Sequence, residues 1–246
     1  MPTPAQLVLI PNVLNEEETQ IHSCFTQEVI TLVPTLDGLI AESEKGGRHY
    51  LKRFPFPEGR SFRDIPIKVL SEHTKEGDYV ELLSLLKRGQ RWGLVSDAGL
   101  PCLADPGARL VFLARQKGVQ VQAHMGPSSI ILALMLSGLM AQKFTFEGYL
   151  PKEMAELTVA IKQMQQRSLK EGSTHLFIET PYRTQQLLER LIELLDENMM
   201  LSISCDLTLP TQLVMTYTIG QWKKMPKPDL QKRLVVFVVA QSPRVL

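Results

Sequence analysis

Short apolar runs alternate with segments of helical period along the first half of the chain. "LVLI" (7–10), "GLIAES" (38–43), "IKVL" (67–70), "RWGLVSD" (91–97) and "VQVQAHM" (119–125) read as strands. Between them, Tyr79, Leu82, Leu83 and Leu86 recur at the i, i+3, i+4, i+7 spacing of a helix that stops at Gly89. Residues 107–118 repeat that pattern and end on Gly118. Strand–helix alternation of this kind predicts an α/β fold with a mostly parallel sheet.

The pattern shifts near "FTFEGYLPKE" (144–153). A Gly-Tyr-Leu-Pro turn precedes a polar helical stretch over 152–171. "THLFIET" (174–180) then reads as a strand and 182–197 as a helix, followed by strands at 201–207, 212–218 and 233–240. The last strands follow one another closely, so part of this second sheet is expected to be antiparallel. The expected organisation is an N-terminal α/β domain over 1–145 and a C-terminal mixed α/β domain over 146–246.

Three loops share one design, passing from a strand through Gly or Pro into a helix. They are "LVSDAGLPCLADPG" (94–107), "HMGPSS" (124–129) and "FIETPYR" (177–183). In open α/β sheets, ligands bind at the carboxyl ends of strands. Asp105-Pro106 and Thr180-Pro181 read as helix caps, and Ser128 and Ser129 as first-turn residues. Free N–H groups at such helix starts suit a ligand carboxylate. No Lys, Arg or His lies between Leu94 and Gly107, and neither a phosphate loop ending in Gly-Lys-Ser/Thr nor a G-x-G occurs. These absences argue against polyphosphate and dinucleotide sites. Asp97 and Asp105 lack a third ligand in the loop, so no metal is expected. A small polar ligand, neutral or cationic, fits best.

Charge and composition narrow the class further. The 246 residues carry a formal net charge of +1, so no global basic field marks a nucleic-acid binder. Cys24, Cys102 and Cys205 are scattered, which argues against disulfides and for a reduced, cytoplasmic setting. The apolar runs at 128–140 and 234–240 fall short of the ~20 residues of a membrane span.

"SDAGLPCLADPG", "GPSSI", "FEGYLP" and "ETPYR" resemble, in order and spacing, the tetrapyrrole methylase superfamily. The likeness covers nearly the whole chain. It is strongest to the branch of bacterial enzymes that 2′-O-methylate a cytidine of small-subunit ribosomal RNA. The resemblance implies two α/β domains with S-adenosylmethionine in the cleft between them, and a homodimer. It places cofactor contacts at Pro11, Asn12, Asp97, Ala98, Gly99, Leu103, Ser128 and Ser129. In the second domain it places them at Glu179, Thr180, Cys205, Asp206 and Val236. A ribose hydroxyl needs a base, and Asp97, Glu42 and Glu179 are the candidates. Three segments depart from the branch pattern: "PNVLNE", "AESEKGGRH" and "LQKRL".

"GRHYLKRFPFPEGRSFR" (47–63) interleaves Arg48, Lys52, Arg53, Arg60 and Arg63 with Tyr50, Phe54, Phe56 and Phe62. Cations for phosphates and aromatics for stacking form an RNA-contact composition. A solvated helix with its aromatics in the core is the alternative. Function therefore stands between a methyltransferase acting on RNA or a ribosomal subunit, one acting on a tetrapyrrole or other small molecule, and a non-catalytic cofactor- or RNA-binding module.

Overall fold

The computed structural model describes residues 4–17 and 21–242. The chain divides into two compact units, Met1–Ser128 and Ser129–Leu246. In the first, chain order is β1 (Gln6–Leu9), α1 (Ile21–Cys24), α2 (Gln27–Leu32), β2 (Gly38–Ala41) and α3 (Glu44–Lys52). β3 (Ile67–Val69), α4 (Glu76–Leu85), β4 (Arg91–Leu94), α5 (Ala108–Gln116) and β5 (Gln120–Ala123) follow. The sheet order is β3-β2-β4-β1-β5, and every pairing is parallel.

Parallel strands need long crossovers, and the helices of those crossovers cover both faces of the sheet. Successive side chains point to opposite faces, so the sheet carries two cores. Val8, Leu39, Tyr50 and Leu51 belong to one, and Leu7, Ile40, Trp92 and Leu110 to the other. All five strands expected from the sequence form. Gly38 lies opposite Trp92 in the β2–β4 pairing, and a Cβ on it would sit 2.3 Å from the indole ring.

The second unit runs α6 (Ser129–Ser137), β6 (Phe144–Tyr149), α7 (Met154–Glu171), β7 (Thr174–Glu179), α8 (Thr184–Leu194) and β8 (Met199–Cys205). β9 (Leu213–Thr218), α9 (Ile219–Trp222) and β10 (Val235–Gln241) complete it. The sheet order is β6-β7-β10-β8-β9, with β6–β7 parallel and the other pairs antiparallel. Phe177 and Phe237 stack at 5.5 Å in its core. The buried Trp222 Nε1 donates to the Leu201 carbonyl at 2.9 Å.

Three local expectations change. Residues 144–149, read as leading into a turn, form the edge strand β6. Gly148 (φ 70°) marks a register shift there, the use of glycine expected at a bulge. The units divide at Ser128/Ser129, ahead of the expected 145/146, because α6 packs on β8, β9 and β10. Asp105 and Thr180 are not caps: α5 is preceded by Gly107 (φ 133°) and α8 by Arg183. Among the described residues no helix is long and apolar enough to cross a membrane.

Gly38→Ala is expected to lower the free energy of unfolding by about 1–3 kcal/mol through overpacking against Trp92. Urea titration followed by tryptophan fluorescence checks this; an unchanged midpoint would mean that the indole moves aside freely.

Candidate active site

Three loops meet at the carboxyl ends of β1, β4 and β5. Asn12, which follows β1, is buried, and its side-chain amide donates to the Ser96 and Asp97 carbonyls at 3.0 and 2.9 Å. Its Oδ1 accepts from the Val13 amide at 2.8 Å. Backbone bonds from Asn12 N to Gly99 O (2.7 Å) and from Gly99 N to Val13 O (3.2 Å) close the contact. Gly99 has φ 67°, which a Cβ would disfavour. From the third loop, Gly126 approaches Pro11 so closely that a Cβ would fall 2.0 Å from the Pro11 side chain. The structure thus brings together Pro11, Asn12, Asp97, Ala98 and Gly99. Asp97 and Ala98 are exposed, whereas Asn12 is spent on holding the loops. Ser128 is buried and Ser129 opens α6. Leu103 stays exposed, between Cys102 and Ala104, both left-handed at φ 69° and 68°.

Carboxylates gather around this loop. Glu42 Oε1 accepts from the Asp97 amide at 2.9 Å. Burial pushes the Glu42 carboxyl above its ordinary range, the Asp97 amide pulls it back, and the Asp97 and Glu72 charges add to the rise. Asp105, read from the sequence as a cap, turns toward the same group. Burial pushes it up to about 6, reinforced by the Glu42 charge, softened by the Ser96 hydroxyl and raised again by Asp97. No group of three His, Cys, Asp or Glu among the described residues is placed to hold a metal ion.

A cavity of about 850 Å³ opens beside Asp97 and Asn12 and runs along α3. Ser43 caps that helix by accepting from Gly46 N at 2.9 Å. A Cβ on Gly46 would lie 2.8 Å from Asp97 Oδ1, so the Asp97 carboxylate sits against the first turn. That position favours negative charge. The basic stretch is largely absorbed by folding. Tyr50 and Phe54 are buried, and Phe56 and Phe62 pack against the same core, so these rings do not form an open stacking platform. Arg48 Nη1 donates to the Phe62 and Ile65 carbonyls at 2.6 and 3.1 Å, and Arg60 Nη2 to the Leu36 carbonyl at 2.6 Å. Arg63 lies over the Phe62 ring at 5.2 Å. Lys52 is exposed and lines the cavity together with Arg53. Lys45 and His49 also line the cavity; the sequence suggests no contact for Lys45 and reads His49 as an isolated surface or core group, although their i, i+4, i+7 spacing with Lys52 was an available signal.

In the second unit, the expected residues meet at one end of the sheet. Val235 pairs with Glu179 on one side and Cys205 on the other. The Glu179 carboxylate is buried; it accepts from the Thr180 amide at 2.7 Å and pairs with Arg183 at 3.1 Å. Asp206 Oδ2 receives Arg233 Nε and Nη2 at 2.9 and 2.7 Å. Cys205 and Val236 have buried side chains, and burial pushes the Cys205 thiol up to about 11. Asp206, Thr208 and Lys232 adopt left-handed backbone, and Lys232 N bonds to Pro181 O at 3.1 Å, tying the loops before β10 and after β7.

The raised Asp105 carboxyl sets a sign for pH dependence. Its folded value of about 6 exceeds an unfolded value near 3.9, so the folded state holds the extra proton between them. This group therefore weakens folding as pH rises from about 4 to about 6, and its full cost remains above that. Asp105→Asn is expected to raise the melting temperature more at pH 8 than at pH 5 by calorimetry. An equal gain at both would detach the effect from this titration.

The family model for Tetrapyrrole (Corrin/Porphyrin) Methylases matches residues 26–223. The chain is 29% identical over 208 residues to the Ribosomal RNA small subunit methyltransferase I of Escherichia coli O157:H7, covering 85% of this chain and 69% of that protein. It is 31% identical over 229 residues to the protein of the same name from Leptospira borgpetersenii, covering 87% and 88%. The crystal structure of diphthine synthase superposes with a TM-score of 0.65 at 16% identity, over 96% of this chain and 89% of that one. That of the methyltransferase CobJ gives 0.59 at 15%, over 99% and 97%. These two likenesses concern the fold alone. The chain belongs to the tetrapyrrole methylase family, a family of S-adenosylmethionine-dependent methyltransferases.

Proposed function

We propose that this methyltransferase moves a methyl group from S-adenosylmethionine to RNA, with a ribose 2′-hydroxyl of ribosomal RNA as the acceptor. The names of the E. coli and Leptospira relatives support the acceptor class. The observation that carries the site assignment is backbone strain. All five non-glycine residues with positive φ among the described residues fall in the two loop clusters, Cys102 and Ala104 in one and Asp206, Thr208 and Lys232 in the other. Each such residue costs on the order of 1–3 kcal/mol, and such strain gathers at ligand sites.

The proposed donor contacts of the N-terminal unit are Pro11, Asn12, Asp97, Ala98, Gly99, Leu103, Ser128 and Ser129, with Asn12 serving through its backbone because its side chain holds the loops. Those of the C-terminal unit are Glu179, Thr180, Cys205, Asp206 and Val236, the buried Cys205 and Val236 serving through their backbone. The first cluster suits a sulfonium: residues 94–107 hold no cation, and the Glu42, Asp97 and Asp105 carboxylates lie close together. When bound, the donor supplies an electrophilic methyl carbon. The chain has to align the acceptor oxygen and remove its proton. Asp97 is the proposed base, because its exposed carboxylate lines the cavity. Glu42 is engaged by the Asp97 amide, and Glu179 by Arg183 and Thr180.

Calorimetry is expected to show S-adenosylmethionine binding, and labelled cofactor to deliver methyl groups to 30S subunits or their RNA. No binding at millimolar cofactor, or transfer to a tetrapyrrole in place of RNA, defeats the reading. Asp97→Asn is expected to lower kcat by roughly 10²–10⁴-fold, the usual worth of a general base; wild-type turnover would remove Asp97 from that role.

Pairing of two copies belongs to the same proposal. Met135, Leu136 and Met140 at α6 and just beyond it are exposed, and clustered exposed apolar side chains mark contact surfaces. Light scattering at micromolar protein is expected to give the mass of two chains, and Met135→Glu the mass of one.

A further inference from the structure

α3 carries Glu44 and Lys45 together in its first turn and His49 and Lys52 in its last. Glu44 stands in the first turn and Asp97 against it, while Lys45, His49 and Lys52 form a stripe at i, i+4 and i+7 that faces the cavity. Arg53 follows at the helix end and donates from Nη2 to His49 Nε2 at 3.2 Å. Lys45, His49 and Lys52 are exposed, and neither lysine has an ion-pair partner among the described residues. The cavity also carries anions: Glu16, Glu44 and Asp97 line it with the cations. It is therefore polarised rather than uniformly basic. Arg48, which also lines it, is occupied with the Phe62 and Ile65 carbonyls.

We infer that the Lys45–His49–Lys52 stripe seats the phosphodiester backbone of single-stranded RNA next to the nucleotide presented to Asp97. This rests on the RNA reading given above and deepens it. Lys45 and Lys52 stand two turns apart, roughly 10 Å along the helix axis, so they engage different phosphates. A ligand with one anion leaves half the stripe unused, whereas a nucleic-acid strand fills it. The Phe62 ring at the wall adds apolar surface. Arg60, anchored to Leu36, is outside the contact.

The test measures binding of a labelled single-stranded RNA dodecamer to the full chain with S-adenosylhomocysteine present, at 50 to 200 mM KCl. The double variant Lys45→Ala/Lys52→Ala is compared with Lys68→Ala, a surface lysine paired with Glu81 away from the cavity. Loss of two phosphate contacts on a single strand reduces the slope of log K against log salt by about 1.4, with roughly tenfold weaker binding at 100 mM. Lys68→Ala is expected to match wild type. Cofactor binding by the double variant, measured by calorimetry, reports that it is folded. A double variant that is folded and keeps the wild-type slope overturns the inference while leaving the RNA reading intact. If wild type binds no RNA, titration with a ribonucleoside 3′,5′-bisphosphate separates the two ideas. Binding that the double variant loses upholds the stripe as a two-anion site and defeats RNA as acceptor; no binding defeats both.

Discussion

The buried amide of Asn12 is the contact on which the N-terminal site depends. With two donors and one acceptor it holds the loop after β1 against the loop after β4. Each such bond contributes about 1 kcal/mol net, but removing one partner strands buried carbonyls at a larger cost. Gly99 and Gly126 then allow the approach, one by its left-handed φ and the other by lacking a Cβ next to Pro11. The rest of the site follows from that clamp. Asp97 is held by its backbone on both sides, by Asn12 at the carbonyl and Glu42 at the amide, and its carboxylate is left to face the cavity.

Charge is sorted locally although the chain is almost neutral. Carboxylates collect around the β4–α5 loop and against the start of α3, and cations run along the cavity face of α3 from Lys45 to Lys52 and Arg53. A cationic donor and an anionic acceptor make opposite demands. Within the N-terminal unit the sequence meets both with side chains only a few turns of helix apart, so the net charge of +1 conceals a polarised surface.

The sheets were legible because their strands are short apolar runs of β-branched and leucine residues between Gly, Pro and Asp. β6 was missed because Gly148 and Pro151 flank Tyr149 and Leu150 like a turn, while its pairing with β7 comes from residues about thirty positions later. The boundary moved because α6 is apolar around its circumference, so its pattern names no preferred sheet. At the site, the loop residues could be read from motif and resemblance. The tasks of Arg48 and Arg60 could not, because the carbonyls they bind belong to other segments. Asp105 read as a cap from Asp-Pro spacing alone, yet the left-handed turn at Gly107 delays the helix and frees its carboxyl to turn inward.

The placement of β1 between β4 and β5 has a consequence for the chain as it is made. Gln6 and Arg91, partners in the sheet, are 85 residues apart in sequence. At about 5–20 residues per second, translation takes roughly 4–17 seconds to pass from one to the other. During that interval β1 has neither neighbour, and the only strand pair available is β2 with β3. Nascent β1 is an apolar strand waiting for its place, so any delay between its emergence and that of β4 and β5 lengthens its exposure to aggregation.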